Sequence, residues 1–352
     1  MKPLKIVVAA GGTSTERDVS LVTGRGIYRA LKELGHKVIL IDVFYGYHGA
    51  DASEASRLFE AERDWAEDIK EITEQDPDLE DIRAQRPDPS DVYFGKNVLE
   101  LCRLADIVFL ALHGGDGENG RVQATFDLFG IKYTGTGYLA SALAMDKYYS
   151  KLVFESRGIS SPDFSLVKVT DFTPVRNFPC VVKTRSGGSS VGVYIAGNEE
   201  EYRESLRHAA AYGDEVLVED YISGREYSVG VVDGKALPVV EISTSEGFYD
   251  YKHKYQDGGA VHTCPAPLSD DKTKEIQDMA EAVYHALEIE AYARMDFMIR
   301  EDGKIFCLEA NTLPGMTPTS LVPHEAEVLG ISYGELCEQI IEVSMKKYDG
   351  GK

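Results

Sequence analysis

Two alternating apolar runs that meet at Asp302-Gly303 constrain this chain more than any other feature. The stretch reads Tyr292-Ala-Arg294-Met-Asp296-Phe-Met-Ile-Arg-Glu-Asp302-Gly303-Lys-Ile-Phe-Cys-Leu-Glu309-Ala-Asn311. Asp-Gly between alternating runs signals a β-hairpin with a two-residue type I′ turn. Glu301 then faces Lys304, and counting outward sets Asp296 opposite Glu309 and Arg294 opposite Asn311. Period two puts these four on one face, with Met295, Phe297, Leu308 and Ala310 on the other. Facing carboxylates with Cβ atoms roughly 4.5–5.5 Å apart repel unless a cation lies between them. The oxygen atoms of Asp296, Glu309 and Asn311 suit a hard divalent ion, and Mg²⁺ with nucleotide phosphates is the usual case. A solvent-facing strand pair compensated by Arg294 is the competing reading, and it accounts less well for acid placed across from acid.

The chain opens differently. Lys5 to Ala10 is a β-branched run ending in Gly11-Gly12; Val19, Val22, Ile27, Ala30, Leu31 and Leu34 recur at helical spacing; Val38 to Ile41 resumes strand character. This is a βαβ unit, so a parallel α/β layer is expected first, with Asp106 to Leu112 and Ile131 to Thr134 as further strands. Residues 51–91 carry fifteen acidic and five basic side chains and are expected to be a solvated insertion, partly helical around Leu58 to Ile72. Tyr138 to Arg157 reads as helix. Cys180 to Lys183, Val191 to Ile195, Val216 to Glu219, Tyr227 to Val232 and Leu237 to Ile242 read as strands of a mixed α+β region.

Composition narrows the function. With 352 residues, two or three domains are expected. A formal charge of −22 disfavours nonspecific binding to nucleic acid or an anionic membrane. No apolar run approaches the ~18 residues of a membrane span, and the N-terminus has no signal-peptide pattern. Five scattered cysteines without a Cys-x-x-Cys fit neither a disulfide framework nor a zinc site, so reduced thiols in a cytoplasmic enzyme are expected.

Gly135-Thr-Gly137-Tyr-Leu-Ala140 matches a dinucleotide fingerprint, with Glu155 about twenty residues on. The context is wrong. Glu155 falls inside a helical pattern rather than at a strand end, and the opening βαβ unit lacks the motif. A tight turn is the better reading, which disfavours a nicotinamide oxidoreductase.

Phosphate chemistry is better supported. Phe178-Pro-Cys-Val-Val-Lys183 ends a strand in a lysine, and the loop Arg185-Ser-Gly-Gly-Ser-Ser190-Val-Gly192 can fold backbone N–H groups over phosphates. Lys147 is a second candidate cation. With the hairpin, these suggest a nucleoside triphosphate clamped between two β-rich lobes. Val216 to Ile222 would connect the lobes, with Glu219 and the backbone reading an adenine edge, Tyr221 and Ile222 packing the ring, and Glu226 near the ribose hydroxyls.

An ordered set of motifs now resembles the D-alanine–D-alanine ligase family over nearly the whole chain. It runs Gly11-Gly12-x-Ser14-x-Glu16-Arg17-x-Val19-Ser20, His113-Gly114 with Gly117-Glu118-x-Gly120, and Met145-Asp146-Lys147. It continues through Gly188 to Gly192, Phe248-Tyr-Asp-Tyr251, Arg294-x-Asp296 and Glu309-Ala-Asn311-Thr312-x-Pro314-Gly315-Met316-Thr317. The resemblance implies an ATP-grasp fold in three domains: a parallel α/β domain over 1–135, a central lobe over 136–221 and a C-terminal lobe over 222–352, the lobes clamping ATP. It implies ATP-dependent joining of two D-alanines through a D-alanyl phosphate, for peptidoglycan precursors.

By the same resemblance Asp296, Glu309 and Asn311 hold two Mg²⁺ ions, or Mn²⁺, and Lys147, Lys183 and Lys254 bind phosphate. Arg294 and the Gly315 N–H stabilise an oxyanion. Glu16 holds the first ammonium in a set with Ser189 and Tyr255, with His113 near that subsite, while Ser320 and the Leu321 N–H clamp the second carboxylate. Tyr255, where relatives that prefer D-lactate typically have histidine, implies D-alanine as acceptor. Thr184 and Gly187 depart from the usual proline and acidic residue in the loop. A homodimer is the implied assembly. An ATP-grasp ligase joining different D-residues or a D-hydroxy acid, and an inactive nucleotide-binding regulator, are the remaining alternatives.

Overall fold

A computed structural model describes residues 2–49, 57–69, 78–88, 90–188, 191–244 and 260–349. The opening Ile-Val-Val run forms β1 (Lys5–Ala10), between parallel β2 (Lys37–Asp42) and β3 (Ile107–Leu110). Helix Arg17–Glu33 makes the crossover and buries Val19, Ile27, Tyr28 and Leu31 against the sheet. Gly11 and Gly12, both at positive φ, turn the chain out of β1 towards this helix. Ile131 to Thr134 is not a fourth strand: only an isolated parallel bridge joins Tyr133 to Val108.

The acidic segment also departs from expectation. Residues 57–60 form a 3₁₀ turn, and the described helix there is Leu79–Ala84 rather than 58–72. Phe59 and Ala66 are buried in the first core, with Leu58, Trp65 and Ile69 packed against it, so this stretch is anchored rather than wholly solvated. The first core also takes in Leu336, Cys337, Ile340, Ile341 and Val343 from helix Tyr333–Asp349.

The expected helix over 138–157 is two, Tyr138–Met145 and Lys147–Ser156. Asp146 breaks it with extended backbone, and its carboxylate caps the second helix by accepting from the Tyr148 and Tyr149 N–H groups. A four-stranded antiparallel sheet follows, β4 (Phe164–Lys168), β5 (Cys180–Thr184), β6 (Val193–Ala196) and β7 (Glu215–Asp220), in the order β4-β7-β5-β6. The last sheet contains β8 (Gly224–Val232), β9 (Lys235–Ala236), β10 (Val240–Thr244), β11 (Ala260–Thr263), β12 (Tyr292–Arg300) and β13 (Ile305–Asn311). Its order is β11-β10-β8-β12-β13, with β9 on β8. The run from Leu237 to Ile242 is thus strand only from Val240. Parallel and antiparallel sheets in one chain match the expected α/β plus α+β architecture.

The hairpin contains two departures that cancel. Arg300 pairs with Lys304 through its N–H on the Lys304 carbonyl (3.0 Å), leaving a three-residue loop, Glu301-Asp302-Gly303, with Gly303 at φ 84°. The two-residue turn was therefore wrong by one residue. A β-bulge between Asp296 and Phe297 then restores the count: Phe297 pairs with Cys307, but Asp296 pairs with Glu309. Leu308 is the extra residue. Met295, Phe297 and Ala310 face the core as expected, Cys307 joins them, and Leu308 turns to the opposite side.

Candidate nucleotide and amino-acid site

A cavity of about 560 Å³ opens between the four-stranded sheet and the last sheet. Lys147, Lys183, Glu219, Tyr221, Ile222, Glu226, Asp296 and Glu309 all line it, as do Leu308, Met298 and the loop residues Gly187 and Gly188. These residues come from separate elements, and the fold brings them to one cavity.

The facing acids lie as the alternation required, and among the described residues no third acid, histidine or cysteine joins them. Arg294 Nε and Nη2 donate to the two Asp296 oxygens, both at 2.9 Å; Ser228 Oγ (2.8 Å) and Asn311 Nδ2 (2.9 Å) complete its partners. Lys147 Nζ lies 3.3 Å from Glu309 Oε2 and donates to the Gly187 carbonyl at 2.7 Å. One lysine thereby ties the phosphate loop to the hairpin. The like-charge pair is compensated by Arg294 on one side and Lys147 on the other. Carboxylate and amide oxygens are the donor chemistry of a hard divalent cation, so the residues present fit magnesium.

The loop is anchored at its root. Arg185 Nε donates to both Asp146 oxygens (3.0 and 2.8 Å) and Nη1 to Glu215 (2.8 Å). Asp146 therefore caps the helix that starts at Lys147 and also holds the strand carrying Lys183. Thr184, one of the two departures from the family pattern, packs where Gly192 has no side chain: a Cβ there would meet Thr184 Cγ2 at 2.4 Å, and Gly192 has φ +74°. Gly187, the other departure, takes φ +126°, a conformation that an acidic residue would adopt only with strain. Ser189, Lys254 and Tyr255 lie outside the described residues.

A second group of residues adjoins the loop. The Glu16 carboxylate reaches from the N-terminus of helix Arg17–Glu33 to the glycines of two loops: a Cβ on Gly114 would stand 2.5 Å from Oε2, and one on Gly188 3.1 Å. His113 Nδ1 lies 2.9 Å from the Leu313 carbonyl and Nε2 lies 3.0 Å from Thr23 Oγ1. A carbonyl only accepts, so Nδ1 carries the hydrogen and Nε2 accepts from the threonine. Burial pushes the imidazole pKa down, consistent with this neutral form. Both ring nitrogens are thus engaged by protein, which makes His113 a joint between the first sheet and the loop after β13.

Glu118 works on the same peptide. Its Oε1 accepts from the Leu313 N–H and its Oε2 from the Gly114 N–H, both at 3.1 Å. Burial, with Glu16 nearby, raises its carboxyl pKa to about 7. The Leu313 N–H and carbonyl are each held by one side chain, and Gly315 lies two residues on. A Cβ on Gly315 would stand 3.0 Å from Ser320 Oγ, which accepts from the Thr317 N–H at 3.1 Å. Ser320 precedes helix Leu321–Val328, so the Leu321 N–H belongs to the first turn, where helices leave such groups without intrahelical partners.

Sequence reasoning missed Glu118, Ser228 and Lys151. Glu118 stood inside a quoted motif. Lys151 follows Lys147 by four residues, hence on the same helix face, and that spacing was the available signal. Ser228 had none.

Comparison with known proteins decides the family. A model described as the D-ala D-ala ligase N-terminus matches residues 5–136, and one described as the D-ala D-ala ligase C-terminus matches 153–342. The chain belongs to the D-alanine–D-alanine ligase family. Among relatives in this family, the D-alanine–D-alanine ligase of Pediococcus pentosaceus is 45% identical over 350 residues, covering 98% of this chain and 99% of its own. That of Lacticaseibacillus casei is 44% identical, covering 99% and 98%. The Bacillus anthracis D-alanine–D-alanine ligase solved with ATP superposes with a TM-score of 0.72 at 30% identity, covering 99% of this chain and all of that one. The Coxiella burnetii ligase, at 24% identity, shares the ATP-grasp fold with a TM-score of 0.75.

Proposed function

We propose that the chain joins two D-alanines, using ATP, into D-alanyl-D-alanine for peptidoglycan precursors. The single observation that carries this is Asp296 facing Glu309 in a cavity that Lys147 and Lys183 also line. Full-length similarity to named ligases supports it.

The chemistry follows from charge. A D-alanine carboxylate attacks the γ-phosphorus of ATP; an O–P bond forms, the β–γ bridge breaks and ADP leaves. The amine of a second D-alanine, having lost a proton, adds to the acyl carbon. The tetrahedral adduct then collapses with loss of inorganic phosphate. The first attack brings negative groups together and the amine addition develops an oxyanion beside a phosphate, so positioned cations and N–H donors must supply the stabilisation.

Lys147 and Lys183 serve as phosphate cations, joined by Lys254. Asp296, Glu309 and Asn311 would hold one or two Mg²⁺ ions, which would neutralise triphosphate charge when bound. Tyr221, Ile222 and Leu308 form the walls against the base, with Glu226 towards the ribose. Glu219 contributes to this wall chiefly through its backbone, since a lysine lies within 3.0 Å of each carboxylate oxygen. Glu16, with Ser189 and Tyr255, holds the first ammonium, and His113 shapes that subsite through its grip on Leu313. Arg294 and the Gly315 N–H face the tetrahedral oxyanion. Ser320 and the Leu321 N–H receive the second carboxylate.

The division into 1–135, 136–221 and 222–352 is supported by three separate sheets, although helices Tyr138–Met145 and Lys147–Ser156 place Ala140, Ala144 and Phe154 in the core of the last one. A cytoplasmic homodimer is the assembly we infer from the family. Among the described residues no helix is long and apolar enough to cross a membrane. The test is ADP release with D-alanine against L-alanine, scored with D-serine and D-lactate as alternative acceptors. Release driven only by D-alanine supports the reading; none with any D-residue overturns it.

A further inference from the structure

Helix Lys147–Ser156 carries a second lysine one turn after Lys147, and Lys151 is fully buried. Its Nζ lies 3.0 Å from Glu219 Oε1, while Lys183 Nζ lies 2.7 Å from Oε2 of the same carboxylate. Phe164, which pairs with Glu219 across β4 and β7, flanks Lys151, the ammonium standing 5.7 Å from its ring centre. Burial pushes the Lys151 ammonium pKa down against the pull of Glu219; with both lysines protonated, the three groups carry one net positive charge. Of the three, Lys183 and Glu219 line the cavity and Lys151 does not.

A buried carboxylate is tolerated only when paired, and one lysine would suffice for Glu219. Burial pushes the Glu219 pKa up, yet Lys151 and Lys183 together bring it below the ordinary carboxylate value. The contact with Lys151 is off the alignment of a hydrogen bond, so it acts through charge more than through directed bonding. The partition of oxygens matters most. If Lys183 leaves Oε2 for a ligand, Oε1 still has its counter-charge. Without Lys151, the same movement strands a buried anion, and Lys183 stays where it is.

We propose that Lys151 is a positioning residue: it takes up the charge of Glu219 and so releases Lys183 to turn its ammonium to a nucleotide phosphate. This rests on the cavity being the nucleotide site. The chemistry it serves is recognition of a triphosphate by a mobile lysine, with the fixed lysine behind it.

The test compares wild type, Lys151→Met and Lys151→Gln by calorimetric titration with Mg-ADP and by KM for Mg-ATP and for D-alanine. Removing the charge is expected to raise the KM for Mg-ATP about tenfold with the D-alanine KM unchanged. The Met and Gln variants should agree, and if Met fails to fold, the Gln variant alone carries the comparison. In a double-mutant cycle, Lys183→Ala should cost much less in the Lys151→Met background than in wild type, because Lys183 is already captured there. Unchanged nucleotide affinity in the folded variants, or strict additivity in the cycle, overturns the proposal. Wild-type protein that neither binds Mg-ADP nor consumes ATP overturns the nucleotide reading itself, so the two failures are distinguishable.

Discussion

Leu308 gives the sharpest check on the site, because alternation and structure assign it to opposite sides of β13. As a core residue, Leu308→Ala would cost about 2–5 kcal/mol of stability and leave substrate binding alone. As the extra residue of the bulge, it is half-buried and lines the cavity. The substitution removes three carbons, worth about 2 kcal/mol at ~0.8 kcal/mol per fully buried methylene. Partial enclosure by a base reduces this to roughly 1–2 kcal/mol, or about a 5- to 30-fold rise in the KM for Mg-ATP. D-Alanine saturation and the thermal midpoint should stay near wild type. The assay is coupled ADP release over a range of ATP concentrations, beside a melting curve. A large fall in melting temperature with unchanged nucleotide KM would refute the placement of Leu308.

Three further outcomes are expected. Glu309→Gln should lower phosphate release by about 10²–10³-fold, since it removes half the facing carboxylate charge and the partner of Lys147, with folding retained by circular dichroism; near-normal turnover would count against the site. Burial pushes the Lys347 ammonium from 10.5 down to about 8, so between those values the unfolded chain binds a proton that the folded one lacks. Stability from this group therefore rises with pH through that window by roughly 3 kcal/mol; buried cysteines and tyrosines of raised pKa pull the whole protein the other way, so denaturant titrations should show wild type gaining that amount relative to Lys347→Met between pH 7.5 and 10. Tyr255→His should move acceptor preference towards D-lactate at lower pH, read as the ratio of the two products; an unchanged ratio sinks the acceptor assignment.

The facing acids were legible because side-chain period is a strong constraint, even though the turn was not. A three-residue loop shifted the pairing by one, and the bulge at Leu308 shifted it back. Nothing in local propensity marks such a bulge, which answers to the twist of the sheet and the filling of a cavity. The break at Asp146 was hidden for a related reason: apolar spacing continues across it, while the decisive event is a carboxylate that caps one helix and holds Arg185 from another element. Phe59 and Ala66 show the opposite error, where an acidic composition masked two positions packed into the first core. Lys151 was missed because a lysine reads as surface until Glu219, 68 positions away, is known to lie beside it. The ordered motifs carried the family assignment despite these local misreadings.

Helix Tyr333–Asp349 lies on the sheet that the first forty residues begin. During synthesis, that opening sheet must wait with an apolar face uncovered until residues 333–349 have been made and can pack against it. Breaking the helix Tyr333–Asp349 would consequently do its damage far away in sequence, uncovering helix Arg17–Glu33 and strand β3.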